Sequence, residues 1–189
     1  FNNDAVETID SAKEIPENGG VIYKNNGVTV TAFEVNHAPV TPSYGFRVDY
    51  QGHSFVYSGD TAPNANVAKY AKGADLLVHE VYGYSRDAAA EIYDYHTSPE
   101  DAAKIFMAAK PKQVIYTHMV MDPWTPGSDT PQGLIDRTRK AGYTGKLGAG
   151  RDLMVININD ANVSVETSQA VAQANNKKET STFNTSNFG

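Results

Sequence analysis

The sequence predicts a layered α/β domain, and three observations lead to this class. Short β-branched segments alternate with helical segments over most of the 189 residues, which is the order of elements in such proteins. Ionisable residues directly follow several predicted strands, and ligand sites in these folds gather at one end of the strands. The length is sufficient for one domain with a full core.

The first part of the chain predicts strands at residues 21–23, 28–35, 43–50 and 53–57. Asn-Asn-Gly at residues 25–27 is a strong turn signal between the first two strands. Only Gln51 and Gly52 separate the last two, which predicts a tight hairpin. His37 closely follows the second strand.

The second part predicts helices at residues 64–72, 99–109 and 130–142, and strands at 75–80, 113–117 and 153–158. Asn64 is a suitable N-cap for the first helix, and Gly73 is a suitable stop. Ser98, Pro99 and Asp101 form the N-terminal signature of the second helix, with a cap, a first-position proline and a capping-box-like acid.

We expect a polar lead-in at residues 1–19, the domain at residues 20–166 and a flexible polar tail at residues 167–189. The tail is rich in Asn, Thr, Ser, Gln and Lys, with few apolar anchors. Phe1 is neither a start methionine nor the beginning of a signal peptide. We therefore expect the numbering to begin inside a longer product, which leaves the compartment open between cytoplasm and export.

The amino-acid composition limits which partners and cofactors are expected. The formal net charge is −6 without a dense Lys/Arg cluster, so a nucleic-acid partner is not expected. No apolar run approaches the roughly 20 residues of a membrane helix, so we expect a soluble chain without a membrane partner. Cys is absent, so any metal must be bound by His and carboxylates, which suits zinc, manganese or iron.

Four ionisable residues lie at the ends of predicted strands: His37, Asp60, His79 and His118. A strand end is rigid and positions a ligand well. Each residue alone is also explained by a structural or surface role, and Ser-Gly-Asp-Thr around Asp60 is good turn chemistry. Their common placement indicates a metal site, although the pattern alone leaves both interpretations open.

Four segments in order resemble the ribonuclease Z and arylsulfatase-like branch of the metallo-β-lactamase superfamily. They are Val-Asn-His at 35–37 with Ser-Tyr-Gly-Phe-Arg-Val at 43–48, Phe-Val-Tyr-Ser-Gly-Asp-Thr at 55–61, Asp-Leu-Leu-Val-His-Glu at 75–80 with His-Thr-Ser at 96–98, and Ile-Tyr-Thr-His at 115–118. Each segment alone is a weak signal, but four in order are specific. The resemblance implies an α/β metallo-β-lactamase αββα sandwich, of which this chain is the second half.

The same resemblance implies a site for two divalent metal ions, with zinc expected and manganese or iron as alternatives. His37 would bind the first ion and His118 the second, and Asp60 would bridge them, so that both ions share an activated hydroxide. His96 would protonate the departing oxygen, and Glu80 would orient His96 as its carboxylate partner. Alternatively, His96 is a loop residue and Glu80 pairs with a surface base.

The chain departs from the family in one respect that bears on its competence. The His-x-His-x-Asp-His segment, which supplies further ligands to both ions, is not in the sequence. His37, Asp60 and His118 alone give each ion two protein ligands, whereas three or four are usual for zinc. We therefore expect this chain alone to be inactive, with the missing N-terminal half in the same precursor or in a second chain. Because relatives often pair, we also expect a homodimer.

Three functions remain open. The leading hypothesis is a hydrolase of a small-molecule substrate: an ester, phosphodiester, sulfate ester or lactone. The second is a ribonuclease Z-like nuclease, although many such proteins grip transfer RNA with an arm where this chain has only residues 50–52. The third is a non-catalytic binding or assembly protein that keeps the fold.

Two further groups have mainly structural interpretations. His79 is expected to be structural, because the family's ligands are accounted for elsewhere. The tyrosines of one stretch either line a substrate pocket or pack a loop, and loop packing is the favoured interpretation; they are Tyr82, Tyr84, Tyr93 and Tyr95.

Overall fold

The computed structural model describes residues 14–85, 87, 90–160 and 162–166, and a mixed sheet of seven strands forms its centre. In spatial order the strands are β1 (Gly20–Asn25), β2 (Val28–His37), β3 (Val40–Tyr50), β4 (His53–Tyr57), β5 (Leu76–Tyr82), β6 (Gln113–Val120) and β7 (Leu147–Ala149). The pairs from β1 to β4 are antiparallel, and those from β4 to β7 are parallel. A separate antiparallel pair consists of β8 (Val155–Ile158) and β9 (Val163–Glu166).

Three α-helices connect the parallel strands: α1 (Ala65–Tyr70), α2 (Pro99–Ala109) and α3 (Pro131–Lys140). The side chains of Asn64, Ser98 and Thr130 cap their N-termini by accepting backbone N–H groups. These caps confirm the predicted helix starts. The predicted first helix was too long, because α1 ends at Tyr70.

The hydrophobic core lies between the helices and one face of the sheet. Phe33, Val56, Leu77 and Val114 of the strands pack there with Phe106 of α2, and all five side chains are buried. Every second residue of a strand points to the same face, so the residues between these core positions point away from the helices.

The opposite face of the sheet is only partly covered by the described residues. The strand register places Tyr23, Tyr50 and Tyr57 on this face, where they are 47%, 45% and 37% exposed. At one end of this face, Met154 and Ile156 line a cavity of about 310 Å³ together with Ile115. The sheet therefore presents apolar side chains on both faces, as the sheets of a layered sandwich do.

The strand directions place the predicted site residues at one edge of the sheet. β2 and β4 are both antiparallel to β3 and therefore run in the same direction, which β5 and β6 share. The carboxyl ends of these four strands thus meet at one edge, which we call the ligand edge. It receives His37 from β2, Asp60 from the loop after β4, Glu80 from β5 and His118 from β6.

Several elements differ from the expectations. The strand pattern missed β7 and β9, and the turn of 3-10 helix at Ala90–Asp94 was not predicted. The predicted last strand began at 153, but β8 begins at Val155. His118 does not stand after the end of β6, because the strand continues to Val120.

The two terminal segments of the chain fall largely outside the described residues. Residues 1–13 of the lead-in and all of the predicted tail lie there. The described end of the lead-in contacts the sheet, since the Tyr44 hydroxyl lies 3.1 Å from the carbonyl oxygen of Pro16. No helix of the described part is long and apolar enough to cross a membrane.

Candidate metal centre

The Asp60 carboxylate lies between two imidazoles at the ligand edge. Its Oδ2 is 3.9 Å from Nε2 of His37 and 3.7 Å from Nε2 of His118. The side chains of His37, Asp60 and His118 are 22%, 37% and 47% exposed, so solvent reaches the group. Both separations are longer than a hydrogen bond, and the three side chains therefore face each other across a gap.

Irregularities in two strands aim the imidazoles at this gap. The pairing of β2 with β3 shifts between Val35 and His37, and the pairing of β5 with β6 shifts between Thr117 and Met119. His118 is the extra residue of the second shift and has a φ of 42°, in the left-handed region. Bulges re-aim side chains and are common beside functional sites. A non-glycine residue with such a φ is uncommon, and the surrounding structure must hold it in place.

The loop of residues 58–61 holds Asp60 in a sharp turn. Gly59 has a φ of 64°, and a Cβ there would lie 2.7 Å from the carbonyl oxygen of Tyr44, so no larger residue fits. Ser58 is fully buried, and its hydroxyl accepts the backbone N–H of Glu80 at 3.2 Å. The hydroxyl of Thr61, the last residue of this loop, accepts the N–H of Asn36 and so links the loop to the end of β2.

The buried Glu80 carboxylate connects this loop to a second one. Its Oε1 accepts the N–H groups of Thr61 at 3.0 Å and of Thr97 at 3.1 Å. The same oxygen lies 3.1 Å from Nδ1 of His96. Glu80 is only 1% exposed, so these bonds replace the water that an ionised carboxylate would otherwise need. Thr61 and Thr97 were not identified from the sequence, although each directly follows a predicted site residue.

The His96 imidazole is held in a defined protonation pattern. An ionised carboxylate only accepts hydrogen bonds, so Nδ1 of His96 donates to Glu80 and Nε2 faces away from it. Burial of the ring disfavours its charged form, but the hydrogen bond to Glu80 and the charges of Glu80 and Asp60 outweigh burial and raise the pKa of His96. The ring centre lies 5.1 Å from that of His37 and 5.6 Å from that of His118. The structure therefore brings all five predicted site residues together, and their roles remain predictions.

The donor types at Asp60 fit a divalent metal. Two imidazole nitrogens and a carboxylate oxygen are ligands that zinc accepts. Within the residues that the structure describes, no group of three or more His, Cys, Asp or Glu side chains is placed so that it could hold a metal ion. His37, Asp60 and His118 thus have the chemistry of metal ligands, but in this arrangement they do not form a metal site among themselves.

An open cavity gives access to one side of this group. It has a volume of about 330 Å³ and is lined by His37, Asp60, Ser43, Tyr44 and Tyr57, together with Val40. A cavity of this size lies at the lower end of the range for small-ligand sites. A small substrate could therefore approach Asp60 from the β3 side of the ligand edge.

His79 lies in the core, away from the gap. It is fully buried, packs edge-on against Phe106 and has Nδ1 2.6 Å from the carbonyl oxygen of Glu80. Burial lowers the pKa of His79, although the charge and the carbonyl of Glu80 oppose this shift. This placement agrees with the structural interpretation of His79.

The family model of the beta-lactamase superfamily domain matches residues 1–119 of the chain. Ribonuclease Z of Mycobacterium avium (strain 104) is 39% identical over 109 residues, which are 53% of this chain and 38% of that protein. Human tRNase Z, short form, has 25% identity and a TM-score of 0.53, over 76% of this chain and 47% of that chain.

The metallo-beta-lactamase fold protein YhfI from Bacillus subtilis has 20% identity and a TM-score of 0.56, over 68% of this chain and 49% of that chain. At this level of identity the likeness concerns the fold alone, and it confirms the predicted fold class. In all three comparisons the chain spans about half or less of the other protein's length.

Proposed function

We propose a function from one premise: the chain belongs to the beta-lactamase superfamily domain family, on its ribonuclease Z branch. The proposed activity is metal-dependent hydrolysis of a small ester, phosphodiester, sulfate ester or lactone. The observation that carries the proposal is the Asp60 carboxylate between His37 and His118, 3.9 and 3.7 Å from their Nε2 atoms.

In this proposal, His37 would hold one divalent cation and His118 a second, and the Asp60 carboxylate would help to hold them. Asp60 has no Lys or Arg partner among the ion pairs of the described residues, so its charge is available to a cation from solution. Two bound cations would polarise the scissile bond and favour deprotonation of water at neutral pH.

His96 holds the proton that the leaving group needs. Its Nδ1 is occupied by Glu80, so only Nε2 is available to a substrate. The raised pKa of His96 favours a protonated ring, which can donate from Nε2 to a departing oxygen. Glu80 acts through His96 as a positioning residue, and its burial excludes water from the bond between them.

We propose that the remaining metal ligands come from outside these residues, either in the same precursor or in a second chain. Two observations support this. His37, Asp60 and His118 provide each of two ions with two ligands, and three or four are usual. The partly covered sheet face, with Tyr50 and Tyr57 exposed, also offers apolar area on which further polypeptide could pack.

A ribonuclease Z activity is the second candidate, and the 39% identity with the Mycobacterium avium ribonuclease Z favours it. Two features of this chain favour small substrates instead. Only Gln51 and Gly52 separate β3 from β4, which leaves no room for an arm there. The net charge of −6 also disfavours a long nucleic acid.

The proposal is tested on protein purified under native conditions, so that any chain supplying further ligands stays attached. Bis-p-nitrophenyl phosphate, a p-nitrophenyl sulfate, a lactone and a model transfer-RNA precursor are assayed in parallel. We expect turnover of a small substrate that a chelator abolishes and added zinc or manganese restores. Efficient trimming of the RNA, with no small-substrate turnover, would overturn the preference.

Elemental analysis of the same material separates these enzymatic functions from a binding or assembly role. A dinuclear enzyme should contain about two metal ions per site. A content below one ion per chain, together with no turnover of any substrate, would favour the non-catalytic alternative. A homodimer remains a separate proposal, which analytical ultracentrifugation of the same preparation tests.

A further inference from the structure

A stack of aromatic rings ends on the His96 imidazole. The ring centres of Tyr82 and His96 are 5.2 Å apart, and their planes differ by only 12°. Tyr84 in turn stacks on Tyr82, with ring centres 5.0 Å apart and planes 27° apart. The sequence favoured loop packing for both tyrosines, whereas the structure places Tyr82 directly on a proposed catalytic side chain.

The hydrogen bond to Glu80 leaves one motion of the His96 ring unrestrained. Nδ1 is held 3.1 Å from Oε1, but a single hydrogen bond does not stop rotation about its own axis. A nearly parallel neighbouring ring opposes that rotation, because tilting would lose the offset-stacked contact. Tyr95 limits the ring further, with its own ring centre 4.9 Å away at an angle of 59°.

The backbone that carries Tyr82 is fixed on two sides. The N–H of Tyr82 donates to the carbonyl oxygen of Thr97 at 2.9 Å, which ties it to the residue after His96. The buried hydroxyl of Tyr93 lies 3.2 Å from the carbonyl oxygen of Tyr82 and also contacts that of Tyr84. The stack is therefore anchored to both segments that flank His96.

We propose that Tyr82 is a positioning residue, which sets the plane of the His96 ring and thereby the position from which Nε2 presents its proton. The inference rests on the proposed function, in which His96 protonates the leaving group. Stacking requires the Tyr82 ring but not its hydroxyl. Tyr82→Phe should therefore keep the orientation of the His96 ring, and Tyr82→Leu should lose it.

The first test observes the ring directly by NMR of the protein labelled at histidine. A stacked aromatic neighbour shifts the carbon-bound protons of His96 through its ring current. We expect Tyr82→Leu to remove this shift, and Tyr82→Phe to keep it. Tyr70→Leu is the matched control. Tyr70 stacks on Phe33, with ring centres 4.5 Å apart and planes 7° apart, and this pair does not include a proposed site residue. Unchanged His96 signals in Tyr82→Leu would overturn the proposal.

Tyr93→Phe provides a second route if Tyr82→Leu does not fold. This change removes only the hydroxyl that holds the carbonyl groups of Tyr82 and Tyr84. We expect the His96 signals to move in the same direction as in Tyr82→Leu, but less. If they stay at their wild-type positions, Tyr82 does not depend on this anchor and the proposed anchoring is wrong.

The second test uses hydrolysis of a series of aryl substrates whose leaving groups differ in pKa. A misplaced proton donor matters little for a good leaving group and much for a poor one. We expect kcat of Tyr82→Leu to fall about 10- to 100-fold on the poorest leaving group, with little change in KM. A uniform loss across the series would indicate a merely structural role.

His96→Gln separates the two levels of inference. If this variant shows no dependence on the leaving group, the proposed role of His96 fails, whatever Tyr82 does. If His96→Gln shows the dependence and Tyr82→Leu does not, the role of His96 stands and only the positioning role of Tyr82 is lost.

Discussion

The amino ends and the carboxyl ends of the central strands both have an aspartate beside a histidine, but the surroundings of the two carboxylates differ. At the amino ends of β4 to β6, Asp75 is buried and accepts the N–H of Ser54 at 2.7 Å. Lys112 lies 2.7 Å from its other oxygen, and His53 lies 3.7 Å away. At the ligand edge, Asp60 is partly exposed and has only imidazoles near it, at 3.7 and 3.9 Å.

This difference separates a structural carboxylate from a candidate ligand. The charge of Asp75 is already neutralised within the protein, so it has little to gain from an added cation. Asp60 has no cationic side chain in an ion pair within the described part of the chain, apart from the two imidazoles. Imidazoles are common metal ligands, so the surroundings of Asp60 suit a bound cation better than those of Asp75 do.

Asp60→Asn should have the largest effect. An amide is a weaker metal ligand than a carboxylate, and loss of an outer partner alone costs about 10- to 100-fold in affinity or activity. We therefore expect hydrolysis to fall at least about 100-fold, with a parallel loss of bound metal. Elemental analysis and turnover of bis-p-nitrophenyl phosphate measure both effects.

Asp75→Asn is the matched control for that variant. It makes the same chemical change at the opposite edge, and we expect bound metal to stay at the wild-type level. Equal metal loss in both variants would remove the distinction between the two edges.

Glu80→Leu should mainly reduce stability. It leaves the buried N–H groups of Thr61 and Thr97 without their acceptor. Each of the two unsatisfied groups costs about 1–3 kcal/mol, so the free energy of unfolding should fall by about 2–6 kcal/mol. Urea denaturation measures this change.

Glu80→Gln separates the structural role of that side chain from its effect on His96. The Gln carbonyl oxygen can still accept from Thr61 and Thr97, so most of the stability should remain. The negative charge beside His96 is lost, and we expect hydrolysis to fall about 10- to 100-fold. A stability loss as large as that of Glu80→Leu would contradict this separation.

Asp75 should make stability depend on pH in acid. Burial raises the pKa of Asp75, but the hydrogen bonds and charge of Lys112, the N–H of Ser54 and the charge of His53 outweigh it and lower the pKa overall. A lowered pKa stabilises the fold above the unfolded value of about 3.9, and this stability is lost as the pH falls through the folded value. We expect Asp75→Asn to be less stable than wild type by about 1–3 kcal/mol near neutral pH.

Unfolding measured at about pH 5 and about pH 3 tests the linkage, since these values bracket the ordinary Asp pKa. The difference in stability between wild type and Asp75→Asn should shrink at the lower pH. A constant difference in stability would mean that the pKa of Asp75 is the same in the folded and unfolded states.

Replacing His79 should have the smallest effect on stability, and this effect should appear at a higher pH than that of Asp75. Because burial lowers its pKa, the folded state favours the neutral ring, and stability is lost as the pH falls below the ordinary value of about 6.5. We expect His79→Leu to flatten the pH dependence between about 7.5 and 5.5, as measured by urea unfolding. Equal slopes in wild type and His79→Leu would contradict the prediction.

The ligand edge could be predicted because it follows from local signals. Strand ends are readable from the sequence, and parallel strands bring their ends together, which groups Asp60, Glu80 and His118. The helix caps at Asn64 and Ser98 were equally local, and both are confirmed.

The features that were missed depend on distant partners. β7 (Leu147–Ala149) has only three residues, one of which is Gly148, and Gly150 follows it directly; it becomes a strand only by pairing with β6. The bulge at His118 arises from the register against β5, which no local pattern reveals. The contact of Tyr82 with His96 likewise joins two residues that are distant along the chain.

The single oxygen Oε1 of Glu80 has a consequence for motion at the ligand edge. Thr61 and Thr97 both donate to it, and the hydroxyl of Thr97 also donates to the carbonyl oxygen of Thr61 at 2.6 Å, across 36 residues of sequence. Neither loop can swing out without breaking the bonds of the other. The amide protons of Thr61 and Thr97 should therefore exchange with solvent through one shared opening event, as members of one cooperative unit. Opening around Asp60 would then release His96 at the same moment.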